Sequence, residues 1–255
     1  MRVDIWSDLV CPWCYVGWSR LRRALTGFTH QDELTVRWHS YELNPGLARG
    51  RSEPRPGAPG RRLRDLSAEE IARGEQRVAA AARDEGLPYR ADRHHGSTFD
   101  LHRLLHLATE AGRAAPTLDA LHQAHFGAGR DIFDHAVAVD VATAAGLDPT
   151  DARRVLAGDA YTERVFTDQR AAHDLRITGV PYVLIDRSIV VSGARGSALF
   201  TRALDTAWAR RPRTRARSHA EVETVPAAAA AGAGVGGGAA ARPSRSRPHA
   251  RQPVR

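Results

Sequence analysis

The two cysteines of the chain, Cys11 and Cys14, are the residues whose type and spacing most clearly predict chemistry. They form a Cys-Pro-Trp-Cys segment that follows a short alternating stretch and opens a stretch with helical spacing. The free N–H groups and the dipole at a helix start stabilise an anion at Cys11, and thiols placed there have pKa values of roughly 3.5–7.5 instead of about 8.5. Cys14 is close enough to attack a mixed disulfide formed on Cys11. The pattern therefore favours thiol–disulfide exchange.

A zinc site is the main alternative for such a pair, because zinc is often held by two cysteines and two histidines. His102 and His106 have the i,i+4 spacing that would place two imidazoles on one helix face. Eight of the 12 histidines lie between residues 94 and 173, however, so a pair with this spacing also arises by chance. The position of the cysteines after a strand and at a helix start favours redox chemistry, and we expect no metal.

The stretches around the cysteines predict a strand, a helix and a second strand. Residues 2–7 alternate in polarity, the next stretch has helical spacing up to Gly27, and residues 34–40 alternate again. Such a βαβ unit makes its two strands parallel, with a right-handed crossover.

The middle of the chain is predicted to be helical. Residues 46–61 are rich in Arg, Gly and Pro and are expected to form a surface loop. No strand is expected after this loop. Helical spacing recurs in residues 67–85, 98–112, 117–127, 135–146 and 150–175.

Strand character returns near the end of the folded part, where residues 182–185 and 189–192 predict an antiparallel hairpin and residues 197–210 a helix. Beyond them the chain has almost no large apolar residues and is expected to be disordered. The fold class is therefore α/β, in four segments: residues 1–45 as a βαβ part, 46–176 as a loop and helical insertion, 177–210 as a ββα part, and 211–255 as a tail.

The formal net charge of +8 belongs to this tail. Residues 210–255 hold 10 Arg and two acids, whereas residues 1–209 hold equal numbers of basic and acidic residues. We expect no nucleic-acid partner beyond weak contacts of the tail. The N-terminus shows no signal-like apolar core and no stretch is long enough for a membrane span, so a cytoplasmic protein without membrane contact is expected.

A second motif, Gly179-Val180-Pro181-Tyr182, stands directly before a predicted strand and on its own indicates a turn. Together with the cysteine pair it carries a family resemblance. The chain resembles the DsbA-like branch of the thioredoxin superfamily, and within it the cytosolic FrnE-type dithiol-disulfide isomerases. The resemblance rests on residues 8–17 (DLVCPWCYVG), 98–106 (TFDLHRLLH), 126–132 (FGAGRDI), 179–185 (GVPYVLI) and 191–194 (VSGA).

The resemblance implies a thioredoxin-like fold interrupted by a helical insertion. Cys11 would then be the attacking thiol, Cys14 the resolving thiol and Pro181 a cis-proline that faces the dithiol. Val180 would offer backbone groups to an extended substrate segment. Pro12 and Trp13 would contact the same substrate.

The predicted helix over residues 98–112 has two interpretations. Its apolar residues, such as Phe99, can simply pack in the core. Its histidines, such as His102, can pack there too or cap the helix. Alternatively, one face with Phe99 and His102 lines the substrate cleft.

Related isomerases and kappa-type glutathione transferases usually carry Ser where Cys11 stands, so the intact pair favours dithiol chemistry on protein or small-molecule disulfides, by a monomer or homodimer. We expect no bound cofactor, although glutathione could serve as a co-substrate. A glutathione-assisted isomerase or transferase of the 2-hydroxychromene-2-carboxylate isomerase or kappa-class type, acting on a small aromatic or polyketide substrate, remains the alternative. A zinc-binding or scaffold protein is a third.

Overall fold

The structure is a computed structural model that describes residues 1–56 and 67–211. Its strands are β1 (Arg2–Ser7), β2 (Thr35–Ser40), β3 (Ser52–Pro56), β4 (Asp92–Gly96), β5 (Tyr182–Ile185) and β6 (Ile189–Ser192). Its helices are α1 (Pro12–Thr26), α2 (Ala68–Asp84), α3 (Phe99–Glu110), α4 (Ala114–His122), α5 (His135–Ala144), α6 (Pro149–Ala157), α7 (Thr162–Asp174) and α8 (Ser197–Ala209). None of these helices is long and apolar enough to cross a lipid bilayer. The tail that we expect to be disordered lies outside the described residues, except for Arg211.

Four strands form the central sheet in the order β2-β1-β5-β6. β1 runs parallel to β2, with Ile5 opposite Trp38, and antiparallel to β5, with Ile5 opposite Val183. β5 and β6 form an antiparallel hairpin in which Val183 lies opposite Val191. The predicted βαβ unit and the predicted hairpin are thus both confirmed, and β1 joins them edge to edge. This is the thioredoxin-like arrangement.

Alternating side chains of β1 pack on opposite faces of this sheet. Ile5 belongs to a large buried cluster that includes Trp18 of α1 and Phe200 of α8. Trp6 belongs to a second cluster with Ala172 of α7. Residues of the helical insertion occur in both clusters, so the insertion and the sheet share their apolar core.

A second, two-stranded sheet corrects the expectation that residues 46–176 contain no strand. β3 and β4 pair antiparallel, with Ser52 opposite Gly96. Neither strand alternates apolar and polar residues, which is why periodicity misses them. Their pairing depends on close packing from elsewhere in the chain: a Cβ on Gly96 would lie 2.6 Å from Cγ of Phe133 and 2.7 Å from the carbonyl oxygen of Arg51.

The helix expected over residues 150–175 is broken into α6 and α7, and a buried arginine accounts for the break. Arg103 of α3 donates to the carbonyl oxygens of Val155, Gly158 (2.6 Å) and Ala160 (2.7 Å). These carbonyls lie where α6 ends, and such groups need partners outside the helix. The predicted helix over residues 117–127 also differs: α4 starts at Ala114, and residues 123–127 form a π-helical turn.

Candidate active site

Cys11 occupies the N-cap position of α1, in the loop that follows the C-terminal end of β1. The backbone N–H of Cys14 donates to Sγ of Cys11 at 3.3 Å, and the N–H of Cys11 donates to the carbonyl oxygen of Asp8 at 3.1 Å. Pro12 stands in the first turn, where its missing N–H would have no intrahelical partner. The start of α1 therefore directs a hydrogen-bond donor and the positive end of the helix dipole at the Cys11 sulfur.

Cys14 lies one turn into α1, and only 1% of its surface is exposed. Both cysteines are free thiols. Burial raises the pKa of Cys14 well above its ordinary value, and the hydrogen bond and charge of Cys11 raise it further. The two thiols consequently have different properties. Cys14 holds its proton, whereas the Cys11 sulfur accepts a hydrogen bond from a backbone N–H at the start of α1.

The loop before β5 brings Val180 and Pro181 to the cysteines. The peptide bond between these two residues is cis. The Cys11 thiol lies 3.7 Å from the carbonyl oxygen of Val180 and can donate to it. The carbonyl oxygen of Pro181 accepts the N–H of Gly193 at 2.8 Å, which ties the loop to the residue after β6. The structure thus brings together Cys11, Cys14, Val180 and Pro181, which the sequence analysis singled out.

Pro12 and Trp13, between the cysteines, differ in exposure. Trp13 is 38% exposed, whereas Pro12 is half-buried. An exposed indole directly beside a reactive thiol offers apolar area to an approaching molecule. The predicted contact of Pro12 and Trp13 with a substrate stays a prediction.

Phe99, predicted to line the substrate cleft, is buried at the start of α3. The guanidinium of Arg49 lies over its ring, 5.2 Å from the centroid. On α7, the partly exposed ring of Phe166 lies 5.4 Å from the Phe99 ring. Phe99 therefore packs against Arg49 and Phe166 in the interior, and its contact with a substrate stays a prediction.

His102 does not line an open cleft as predicted, because it is 1% exposed. Its Nε2 lies 3.4 Å from Oδ1 of Asp8, in the loop between β1 and α1. His106 points elsewhere, with Nε2 3.1 Å from Oγ of Ser40 and 3.3 Å from Oδ2 of Asp168. His102 is therefore buried, as the packing interpretation expects, and its contact with a substrate stays a prediction.

The described residues contain no group of three or more His, Cys, Asp or Glu side chains arranged to hold a metal ion. The two histidines that would complete a zinc site with the cysteine pair contact different partners. A zinc site on this pair has no ligand set within the part of the chain that the structure describes.

Asp8 is a residue beside the cysteine pair that the sequence analysis did not single out, and Glu42 follows it across the sheet end through Leu43. Oδ2 of Asp8 accepts the N–H of Leu43 at 2.7 Å, and Glu42, the preceding residue, accepts a hydrogen bond from Nε2 of Gln169 at 2.8 Å. Burial raises the pKa of Glu42 above its ordinary value. Asp8 could have been noticed in the sequence, because it is an acidic residue followed only by apolar residues up to Cys11.

Comparison with known proteins relates this geometry to a family. The DSBA-like thioredoxin domain matches residues 2–205. A probable DsbA oxidoreductase from Streptomyces coelicolor is 45% identical and has a TM-score of 0.76, over 83% of this chain and 92% of that chain.

Two further solved structures are similar at lower identity. A 2-hydroxychromene-2-carboxylate isomerase is 21% identical, with a TM-score of 0.60 over 82% of this chain and 95% of that chain. The cytosolic disulfide reductase DsbM from Pseudomonas aeruginosa, solved with GSH, is 20% identical, with a TM-score of 0.54 over 82% of this chain and 96% of that chain. At such identities the likeness concerns the fold alone.

The matched region starts in β1 and ends in α8, so it contains the cysteine pair, the loop with Pro181 and the helical insertion between them. The similar protein from Streptomyces coelicolor is described as a probable DsbA oxidoreductase, and this chain has its cysteine pair at the start of α1. With sheet order, site and sequence in agreement, the chain belongs to the family of DSBA-like thioredoxin domains.

Proposed function

We propose that this protein is a thiol–disulfide oxidoreductase that exchanges disulfides through Cys11 and Cys14. The observation that carries the proposal is the environment of the Cys11 sulfur. It accepts the N–H of Cys14 at the start of α1 and lies 3.7 Å from the carbonyl oxygen of Val180. Donors at a helix N-terminus favour the thiolate, which is the nucleophile in disulfide exchange.

In the reductive direction, the Cys11 thiolate attacks one sulfur of a substrate disulfide. A bond forms between Cys11 and that sulfur, and the other substrate sulfur leaves with the electron pair and takes up a proton. Cys14 then loses its proton and attacks Cys11, which releases the second substrate sulfur as a thiol. The substrate gains two electrons, and the two cysteines end as a disulfide. In the oxidative direction the same steps run backwards.

Substrate would approach at the loop before β5 and at Trp13. The carbonyl of Val180 can accept an N–H of an extended peptide segment, in the manner of an added strand. The exposed indole of Trp13, two residues after Cys11 in sequence, would supply apolar contact. This entrance suits disulfides in extended protein segments and in small molecules.

Glutathione is the co-substrate that we propose for the return half of the cycle. The fold neighbour DsbM was solved with GSH, and glutathione is a main small thiol of reducing compartments. Two cysteines so close in sequence are suited to catalysis more than to stabilising a fold. Structural disulfides are rare in the reducing cytoplasm, so a catalytic pair agrees with a cytoplasmic location. The direction of electron flow then depends on how the reduction potential of the cysteine pair compares with that of the cellular thiol pool.

The test uses the full chain and glutathione disulfide as substrate. The reduced protein is expected to form a mixed disulfide on Cys11 and then an internal disulfide that reduced glutathione reverses. Cys11→Ser is expected to abolish both products, and Cys14→Ser to stop at the mixed disulfide. Full exchange activity in Cys11→Ser would refute the proposal. Tight glutathione binding without thiol turnover would favour the isomerase or transferase alternative instead.

A further inference from the structure

Arg20 of α1 connects three elements of the molecule through one guanidinium group. Its Nε donates to Oε1 of Glu85, and its Nη1 donates to the carbonyl oxygen of Ala194, each at 2.8 Å. Glu85 is the residue at the end of α2, and Ala194 lies in the loop between β6 and α8. Only 18% of the Arg20 side chain and 9% of the Glu85 side chain are exposed. A guanidinium holds its donors in one rigid plane, so Arg20 can fix both acceptors at once.

The loop that Arg20 holds also supports the cis peptide bond at the dithiol. Gly193, the first residue after β6, donates its N–H to the carbonyl oxygen of Pro181 at 2.8 Å. Pro181 is joined through the cis bond to Val180, whose carbonyl oxygen lies 3.7 Å from the Cys11 sulfur. Two hydrogen bonds and a few covalent bonds therefore connect the guanidinium to the carbonyl that lies beside the reactive sulfur.

Helix α1 carries both the arginine and the sulfur. Cys11 is its N-cap, and Arg20 stands nine positions further along the chain. A helix rises roughly 1.5 Å per residue, so the two residues are about 14 Å apart along its axis. The helix is rigid over this length because its backbone hydrogen bonds are internal. An arginine that holds the loop at one end of this span consequently helps to fix the distance between Cys11 and the Val180 carbonyl at the other end.

A purely structural role, in which Arg20 only ties α2 to α1, leaves one of its hydrogen bonds unexplained. Val16 of α1 and Val78 of α2 belong to a buried apolar cluster that already joins the two helices. Arg23 also donates to Glu85, at 2.6 Å, although its side chain is 58% exposed. Within the described residues, the Arg23 side chain makes no hydrogen bond to the loop after β6. Contact with that loop is what distinguishes Arg20.

We propose that Arg20, oriented by Glu85, is a positioning residue that favours extended peptide disulfides over small ones. This inference rests on the proposed function, in which the Val180 carbonyl accepts an N–H of a peptide segment. A peptide gains the full strength of that hydrogen bond when the carbonyl is held in place before the substrate arrives. A disulfide without a peptide N–H gains nothing from it. Through Arg20, the end of α2 thereby contributes to substrate choice.

The experiment compares two disulfides in single-turnover kinetics with the reduced full chain. One is an extended peptide with its single cysteine in a mixed disulfide, and the other is hydroxyethyl disulfide, which has no peptide N–H. In Arg20→Met, half-saturation by the peptide should need about threefold to tenfold more substrate, because a hydrogen bond of ordinary strength is weakened. The rate with hydroxyethyl disulfide should stay within about twofold of the wild-type rate. A loss of folded protein would instead lower the two rates equally.

Arg23→Met is the matched control, since it removes the other arginine on Glu85 and leaves the loop contact in place. Both substrates should then react within about twofold of the wild-type rates. The inference is overturned by an unchanged substrate preference in Arg20→Met, or by the same loss of preference in Arg23→Met. A wild-type protein that reacts with neither disulfide would refute the proposed function instead, so the two failures are distinct.

Hydrogen exchange measures the connection itself. The N–H of Gly193 should exchange at least about fivefold faster in Arg20→Met than in the wild type, and at the wild-type rate in Arg23→Met. Equal exchange in all three proteins would contradict the link between the guanidinium and the loop. Arg20→Lys serves if Arg20→Met does not fold, because its single ammonium keeps the charge without the rigid pair of donors. It should shift the substrate preference in the same direction, and a wild-type preference would count against the positioning role.

Discussion

Helix α1 approaches the loop before β5 so closely that a Cβ on Gly17 would lie 2.9 Å from Cγ of Pro181. The same Cβ would lie 3.3 Å from Cα of Ala194, which is backbone and cannot rotate away. Gly17 thus allows the helix that carries the cysteines to reach the loop that carries Val180. The relative position of Cys11 and the Val180 carbonyl depends on this contact.

Gly17→Ala is expected to destabilise the protein by about 1–3 kcal/mol, the usual cost of adding a methyl group to a packed site. Urea unfolding followed by circular dichroism measures it. Gly74→Ala is the control, because Gly74 lies inside α2 with no atom within 4 Å of the added Cβ. There the helix propensity of Ala should raise stability by about 0.5–1 kcal/mol. Equal effects at both positions would contradict the close contact.

His39 links the sheet to α7, and its titration should make stability depend on pH. Nδ1 lies 2.7 Å from Asp168 and Nε2 2.9 Å from Asp4. Burial works against the charged ring, but the hydrogen bonds to Asp168 and Asp4 prevail and raise the pKa of His39. This contribution is fully present below the unfolded pKa of about 6.5 and is lost as pH rises through the folded value.

Thermal unfolding between pH 3 and 9 tests this dependence. The wild-type midpoint should fall on the alkaline side, and His39→Gln should flatten that fall while lowering stability by roughly 1–3 kcal/mol at pH 6. At the acid end a different group acts: hydrogen bonds from His106, His39 and Ser40 outweigh burial and lower the pKa of Asp168, so stability should decline below about pH 4 in both proteins. If the unfolding midpoint of His39→Gln fell equally at alkaline pH, a group other than His39 would be responsible for the pH dependence.

Arg103 is fully buried, and its removal should be among the most damaging single changes. Arg103→Met would remove the donor that Arg103 supplies to the carbonyls of Val155, Gly158 and Ala160, and would leave Asp100 with Arg49 as its charged partner. A buried polar group that loses its hydrogen-bond partner costs about 1–3 kcal/mol, and three carbonyls lose theirs together. Chemical denaturation measures the loss, which should appear as a lower midpoint.

The comparison for Arg103 is Arg154→Met, which removes an exposed pair with Asp151. That change should stay within about 0.5 kcal/mol. Similar losses for the two arginines would show that the hydrogen bonds at the end of α6 are not what makes Arg103 important.

Trp13→Ala should affect recognition more than folding, because the indole is exposed beside Cys11. We expect KM for peptide disulfides to rise several-fold, with a change in unfolding free energy below about 0.5 kcal/mol. Steady-state kinetics with a peptide disulfide and with glutathione disulfide separates the effects of contact area from those on thiol reactivity. An equal drop in kcat for both substrates, with KM unchanged, would place Trp13 in the chemistry instead.

Removal of residues 212–255 tests the interpretation of the net charge. Since residues 1–209 are balanced in charge, the shortened chain should keep its thiol exchange rates and lose salt-sensitive binding to polyanions. Heparin binding at two salt concentrations and glutathione disulfide kinetics measure the two properties. A loss of exchange activity would show that the tail takes part in the reaction.

Much of the fold could be predicted from local pattern. The reactive pair, the helix it opens, both strands of the βαβ unit and the late hairpin follow from spacing and turn residues that act over a few positions. The same holds for α2, where Ser67 and Glu70, three positions apart, form a capping box. These features depend on interactions between residues that are close in sequence, so they can be predicted from the sequence alone.

The remaining features depend on contacts between distant residues. β3 and β4 have no apolar alternation and form because they pair with each other. The break between α6 and α7 lies where Arg103 reaches across from α3. His102 has the spacing of a residue on an open helix face, yet Asp8 faces it in the interior. The sequence identified the two reactive sulfurs, whereas packing between residues more than 90 positions apart brought Oδ1 of Asp8 within 3.4 Å of Nε2 of His102.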